Sequence, residues 1–300
     1  MLTLLLSYLV AAPVSNPSEA QIHTEDLDHF FEALQAHREG MPLRRALRIH
    51  YRRPGSAGLD EAWKINIRGV GRLARRVESS LPYYEGLEGE LALVEGEMAE
   101  IRGVFSKLEE LYPQAVHPDV YLVVGRFNSA GTLSDEGLFI SLEMFGRNLN
   151  PDLAEGSWLD RVLKPTGELD AIVAHELAHY QQHQTPQNTL EACLLEGVAD
   201  VLAEELSGRH TNPSVYAFGA EHHDEVWTAF VGDMHGSSTR DWLYRTPARE
   251  GWPQDLGYYA GYHIATGYLE HASSREQGLR ELLEWTDSEQ MLRDSGRLVE

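Results

Sequence analysis

Hydrophobic positions in the first third of the chain recur with the spacing of helices. From Thr24 onward, Leu27, Phe30, Phe31 and Leu34 fall on one side of a turn-by-turn repeat, with acidic residues in the first turn, so a helix is predicted there. A break follows at Arg53-Pro54-Gly55. Two further helical stretches, Leu59 to Ser79 and Leu87 to Leu111, are separated at Leu81-Pro82 and closed at Tyr112-Pro113, because proline interrupts the backbone hydrogen-bond ladder. The texture then changes. Val120 to Val124 and Leu138 to Leu142 are β-rich apolar runs on either side of the turn-forming cluster Asn128-Ser129-Ala130-Gly131, and they read as two paired strands. After a loop from Asn150 to Gly167 the pattern returns to helix. No repeat, low-complexity tract or linker interrupts it, so the expected architecture is α+β, helix-rich, with a small β-sheet, and residues 21–300 forming one domain.

The amino terminus stands apart. Leu2 to Ala12 is an apolar run of signal-peptide length, too short to span a bilayer, and Pro13 to Ala20 are small and polar, so residues 1–20 read as a signal peptide and the protein as exported, periplasmic or secreted. No Lys or Arg precedes the run; the competing reading is a buried first helix in a cytoplasmic protein. No later segment is apolar for long enough to cross a membrane, so no stable insertion of the mature chain is expected.

Charge narrows the partners. A net charge of −22 over 300 residues repels nucleic acid and anionic surfaces, which excludes a nucleic-acid-binding role. The only cysteine, Cys193, sits among Ala192, Leu194 and Leu195 and reads as a small buried side chain rather than a nucleophile.

One segment carries chemistry. Within Asp170 to Tyr180 lies His175-Glu176-x-x-His179, in a run of helical periodicity. Four residues along a helix is a rise of ~6 Å on a nearly shared face, so both imidazoles can reach one ion. Glu176 lies beside them, where a carboxylate can take a proton from a water whose pKa the ion lowers. About 0.07 such motifs are expected by chance in a chain of this composition, so context decides. The preceding Ala171-Ile172-Val173-Ala174 makes the helix a buried one, and two histidines and a glutamate on a buried stripe need something to bind.

A catalytic zinc site needs a third protein ligand. The residues after His179 lack the glycine and spacing of a third-histidine motif, and His183, one turn along a straight helix, cannot help surround the ion; it reads as a polar residue on the surface or behind a ligand. The helix from Glu191 to Glu204 offers Glu196, with Asp200 one turn later to accept the remaining ring N–H of a ligand histidine. Glu191, Glu204 and Glu205 are weaker candidates, lying nearer the segment ends without a paired aspartate. Gly197 beside the ligand would let two helices approach closely. For a donor to a developing oxyanion, the cluster Gly257 to Ile264 offers Tyr262 and His263 as the candidates. The strand Leu138 to Leu142 would suit a peptide that adds to a sheet edge.

At this point the chain resembles a bacterial family of proteases, assigned as zinc-dependent from their motif and related to a gliding-motility lipoprotein. The residues that carry the likeness are His175 to Gln182, Val124 to Thr132, Glu143 to Gly146, Glu196 to Asp200, Ser207-Gly208, Asp241 to Tyr244 and Asp255 to His263. In this order they span roughly Thr24 to Tyr268. The resemblance implies a zincin-like metallopeptidase fold with a glutamate as third ligand. No cysteine follows the amino-terminal run, so a lipid anchor like that of its lipoprotein relatives is not expected.

The expected function is therefore a zinc metallopeptidase acting on a peptide or protein substrate, with one Zn2+ on His175, His179 and Glu196, Glu176 as general base, Asp200 behind a ligand, and Tyr262 or His263 at the oxyanion. The alternatives are an exported accessory or assembly protein with a structural or vestigial zinc site, and a zinc hydrolase acting on a non-peptide substrate.

Overall fold

The computed structural model describes residues 13–149, 159, 162–244 and 247–298. The apolar run of the expected signal peptide and most of the expected loop from Asn150 lie outside them. Among the described residues the protein is a helix-rich α+β structure with one four-stranded sheet. Its packing resolves two compact units, one built from residues before Gly103 together with Val116–Leu169, the other from Gly103–Ala115 and the chain after Leu169.

The first unit opens with β1 (Ile22–His23) and α1 (Glu25–Arg38), which buries Leu27, Phe30, Phe31 and Leu34 as their spacing predicts. α2 (Leu43–Ala46) continues into a π-helical turn, Leu47–Arg52, which buries Tyr51. The helix predicted over Leu59 to Ser79 is two helices. α3 (Ala57–Ala62), capped by Ser56, ends in a π-turn, and Arg68 and Gly69 at positive φ break the chain before α4 (Val70–Ser79). Pro82 occupies the first turn of α5 (Leu81–Gly86), where its missing N–H costs nothing. The stretch from Leu87 begins as a 3-10 turn and becomes α6 (Leu91–Leu111), which contributes to both units and stops before Pro113.

Three more strands follow: β2 (Val120–Val123), β3 (Gly131–Ser134) and β4 (Gly137–Ser141). The expected strand pairing is present, but β2 and β4 pair parallel. The turn cluster at Asn128 does not join them directly: it leads into β3, which forms the antiparallel hairpin with β4. Asp135 and Glu136 make the hairpin turn, and Gly137, at φ +132°, has no room for a Cβ because the carbonyl of Asp119 would lie 2.3 Å from it. Both β2 and β4 are buried throughout, which is why their sequences read as unbroken apolar runs rather than alternating ones. The strand order β1-β2-β4-β3 places β4 inside the sheet. The strand expected to offer an edge to a peptide therefore has no free edge, since its backbone groups are committed on both sides.

The second unit carries α7 (Leu169–Gln181), α8 (Thr189–Ser207), α9 (Pro213–Glu221), α10 (His223–Asp233), α11 (Leu256–His271), α12 (Arg275–Leu283) and α13 (Ser288–Asp294). α8 and α11 pack against each other through glycine. A Cβ on Gly197 would lie 2.0 Å from the carbonyl carbon of Gly261, and one on Gly261 would lie 1.7 Å from the oxygen of Cys193, so backbone meets backbone here. Cys193 is a buried free thiol, as its apolar neighbours predict.

Candidate metal centre

α7 is apolar almost all round, with Ala171, Ile172, Val173, Ala174, Leu177 and Ala178 buried, and so it lies inside the unit rather than on its surface. Its start is tied down by Asp170, which accepts from Arg209 at 2.8 Å just beyond the end of α8. α8 is closed at both ends. Asn188 accepts from the amide of Glu191 at 2.9 Å while the carboxylate of Glu191 accepts from the amide of Gln187 at 2.7 Å. Gly208 ends the helix in the left-handed conformation. These constraints fix the helices that supply every ligand candidate.

His175 and Glu196 are nearly buried, and the ligand atoms of His175, His179 and Glu196 lie within 4.8 Å of one another. Oε2 of Glu196 is 3.3 Å from Nε2 of His175 and 3.2 Å from Nε2 of His179. The two Nε2 atoms are 3.0 Å apart. This convergence is explained by what holds the other ring nitrogens. Nδ1 of His175 is 2.7 Å from Oδ1 of Asp200. Asp200 is buried and also accepts from the hydroxyls of Thr211 and Tyr216, each at 2.5 Å. A carboxylate can only accept, so Nδ1 of His175 carries the proton. Nδ1 of His179 is 2.7 Å from Oε1 of Gln182, whose Nε2 donates to the carbonyl of Leu195 at 3.0 Å and so fixes which end of the amide faces the ring. Both imidazoles are thus set in the tautomer that turns a lone pair on Nε2 toward Glu196.

The electrostatics follow. Burial disfavours charge on His175, but Asp200 and Glu196 outweigh it and hold the imidazole well above its usual range. Burial would raise the carboxyl of Glu196, yet His179 and His175 hold it well below. Two imidazoles and two carboxylates confined together favour positive charge among them, a role that a divalent cation would fill. Two nitrogens and one carboxylate oxygen are a donor set that fits zinc, with a position left open. Glu176 adjoins the cluster on α7. It is nearly buried, burial raises its pKa against the pull of His175 and His179, and among the described residues no group hydrogen-bonds its carboxylate.

The remaining expectations separate. His183 is exposed, as expected. Glu191 serves the start of α8, Glu204 accepts from Tyr262 at 2.5 Å, and Glu205 pairs with Arg275 at 2.8 Å, so each weaker ligand candidate has another task. The structure does not bring Tyr262 or His263 to the triad. Tyr262 turns to Glu204, and His263 packs on His223 and Trp227, with ring centroids 4.6 and 5.0 Å away, where burial and Arg297 lower its pKa to about 4. Two other tyrosines stand at the site instead. Tyr258 stacks on His175 with centroids 6.1 Å apart. Tyr244, at φ +70°, donates its hydroxyl to Oε1 of Glu196, and its amide is held by Asp255 at 2.6 Å. Sequence reading also missed Gln182, Thr211 and Tyr216 as supports. Gln182 and Tyr244 fall within segments that carry the family likeness, but nothing local marks what they touch.

The family model described as gliding motility protein GldB matches residues 72–296, a span that contains the whole site. No curated protein and no solved structure matches significantly. No helix among the described residues is long and apolar enough to cross a membrane. The motif-based likeness to relatives of a gliding-motility lipoprotein agrees with that match, and with about three quarters of its length covered the chain belongs to the gliding motility protein GldB family.

Proposed function

We propose that the protein is a zinc-dependent hydrolase of zincin type, cleaving peptide bonds. One observation carries this reading: the Nε2 atoms of His175 and His179 and a carboxylate oxygen of Glu196 converge, while the carboxylate of Glu176 stands beside them without a hydrogen-bond partner among the described residues. A structural site has no use for such a group.

When bound, zinc supplies Lewis acidity at the reacting carbonyl. His175, His179 and Glu196 would hold it, and Asp200 and Gln182 keep both rings facing inward. Glu176 takes the proton of the attacking water and is positioned to pass it to the leaving amine. Tyr258, against His175, is the candidate donor to the oxyanion, while Tyr244 commits its hydroxyl to Glu196.

The test compares wild type with Glu176→Gln for bound zinc and for cleavage of a diverse peptide library. Retained zinc with cleavage reduced by about 10²-fold or more is expected. Retained zinc with equal cleavage by both proteins removes Glu176 from the chemistry.

The family match favours a second reading, an exported accessory or assembly protein of gliding-motility type; its zinc site would be structural or vestigial. The apolar amino-terminal run supports export under either reading. Chelation separates them: an apo-protein that stays folded but inactive fits catalysis, and one that unfolds fits a structural metal.

A further inference from the structure

The first unit holds a feature that the metal centre does not use. Arg72, Arg75, Arg76 and Ser79 of α4 line an open basin of about 440 Å³, and Arg126, from the loop after β2, completes it. In a chain of net charge −22, this is a concentration of like charge in one place. Among the described residues no carboxylate pairs with Arg72, Arg75 or Arg126.

Arg126 is not placed by chance of a surface loop. Every residue around it is pinned from below. Tyr51 donates to the carbonyl of Val124 at 2.7 Å and accepts from its amide at 2.8 Å. Tyr84 donates to the carbonyl of Gly125 at 3.0 Å. The fully buried carboxyl group of Glu143 accepts from the amides of Gly125, at 2.7 Å, and Phe127, at 2.9 Å. Glycine at 125 lets the carboxylate come this close, since a Cβ there would lie 2.8 Å from Oε1 of Glu143. Phe127 is held at φ +60°, a strained conformation for a non-glycine residue, of the kind that persists where the surroundings impose it. Nε of Arg126 donates to the carbonyl of Asn66 at 2.9 Å, which orients the guanidinium and leaves its two terminal nitrogens for another partner. Arg76 lies over the Phe127 ring at 5.7 Å. Partial burial and the neighbouring Arg72, Arg68 and Arg76 all disfavour the charge on Arg126.

We propose that this basin binds a phosphoryl oxyanion, with Arg126 as the fixed donor and Arg72 and Arg75 closing over the anion. Planar guanidinium forks match tetrahedral oxyanions in pairs, and a group with more than one negative charge is needed to offset several cations at once. A soluble phosphate ester and an anionic lipid headgroup share this chemistry.

The full chain is titrated calorimetrically with inorganic phosphate and, separately, with vesicles containing phosphatidic acid, whose phosphomonoester headgroup also carries more than one negative charge. Saturable binding to at least one probe is expected, weakened about tenfold or more by Arg126→Gln and by Arg72→Gln. It is retained by Arg45→Gln, an exposed charge outside the basin, and partly restored by Arg126→Lys. Vesicle binding without phosphate binding assigns the group to a lipid, and the reverse assigns it to a solute. An unchanged thermal midpoint shows that each variant is folded, and Arg72, exposed on α4, provides a second test should Arg126→Gln disturb the loop. Absence of saturable binding to both probes, or binding indifferent to Arg126→Gln or equally sensitive to Arg45→Gln, overturns the proposal.

Discussion

Oε1 of Gln182 lies 2.7 Å from Nδ1 of His179, and the same carboxamide donates through Nε2 to the carbonyl of Leu195, the residue before Glu196. One side chain therefore orients a candidate ligand histidine and ties it to the helix that supplies the candidate carboxylate ligand. Removing such a support commonly costs 10- to 100-fold in metal affinity. Gln182→Ala is expected to weaken zinc binding by about 10-fold or more, measured by competition with a chromophoric chelator, with the fold kept. Unchanged affinity would show that the ring is held without Gln182.

Asp200 is the buried counterpart for His175, with Thr211 and Tyr216 satisfying its remaining acceptor sites. Asn in its place brings an N–H pair where three donors already point. Asp200→Asn should lose about 10- to 100-fold in zinc affinity and also about 2–3 kcal/mol of stability, because donors are left unsatisfied in a buried place. Tyr216→Phe, which deletes one hydrogen bond, is expected to cost about 1 kcal/mol in urea unfolding.

Zinc should stabilise the protein, since the three ligands converge only in the folded chain. At a free concentration 100 times the dissociation constant the gain is about 2.7 kcal/mol, visible as a raised thermal midpoint. His175→Ala should abolish that rise. A midpoint that rises equally in the variant would place the ion elsewhere.

The contact between α8 and α11 admits no side chain at Gly197. Gly197→Ala forces backbone apart beside the candidate ligand Glu196 and is expected to cost about 3 kcal/mol or more, against ~1 kcal/mol of gain from helix propensity, so the net change is a lowered urea midpoint. A stabilised variant would contradict the close approach.

Burial raises Glu143 from 4.5 to about 7, against the pull of the amides it accepts from. A folded pKa above the unfolded one means that the folded state binds the proton more tightly. The associated stability is fully present below about pH 4.5 and is lost as the pH rises through 7. The difference amounts to roughly 3 kcal/mol. Urea unfolding between pH 5 and 8 should therefore show a steeper fall for wild type than for Glu143→Gln, which has no proton to lose; parallel curves would show that Glu143 ionises freely.

The sequence alone determined what lies within one helix. The His175–His179 spacing, the Glu196–Asp200 spacing and the apolar run before the motif are local regularities, and the helix repeat converts them directly into shared faces. The same holds for α1 and for the proline-bounded ends of its neighbours. Tertiary structure decided what depends on the phase of one element against another. Tyr258, Tyr262 and His263 share α11, but only the seating of Gly261 against α8 settles that Tyr258 meets His175, that Tyr262 falls one turn further on at Glu204, and that His263 is rotated toward Trp227. Strand pairing behaved likewise: apolar runs marked β2 and β4, whereas their parallel sense and the intervening β3 arise from long-range hydrogen bonds. Gln182 and Tyr244 gave no local signal because each acts across the site, through contacts made only once the chain has folded.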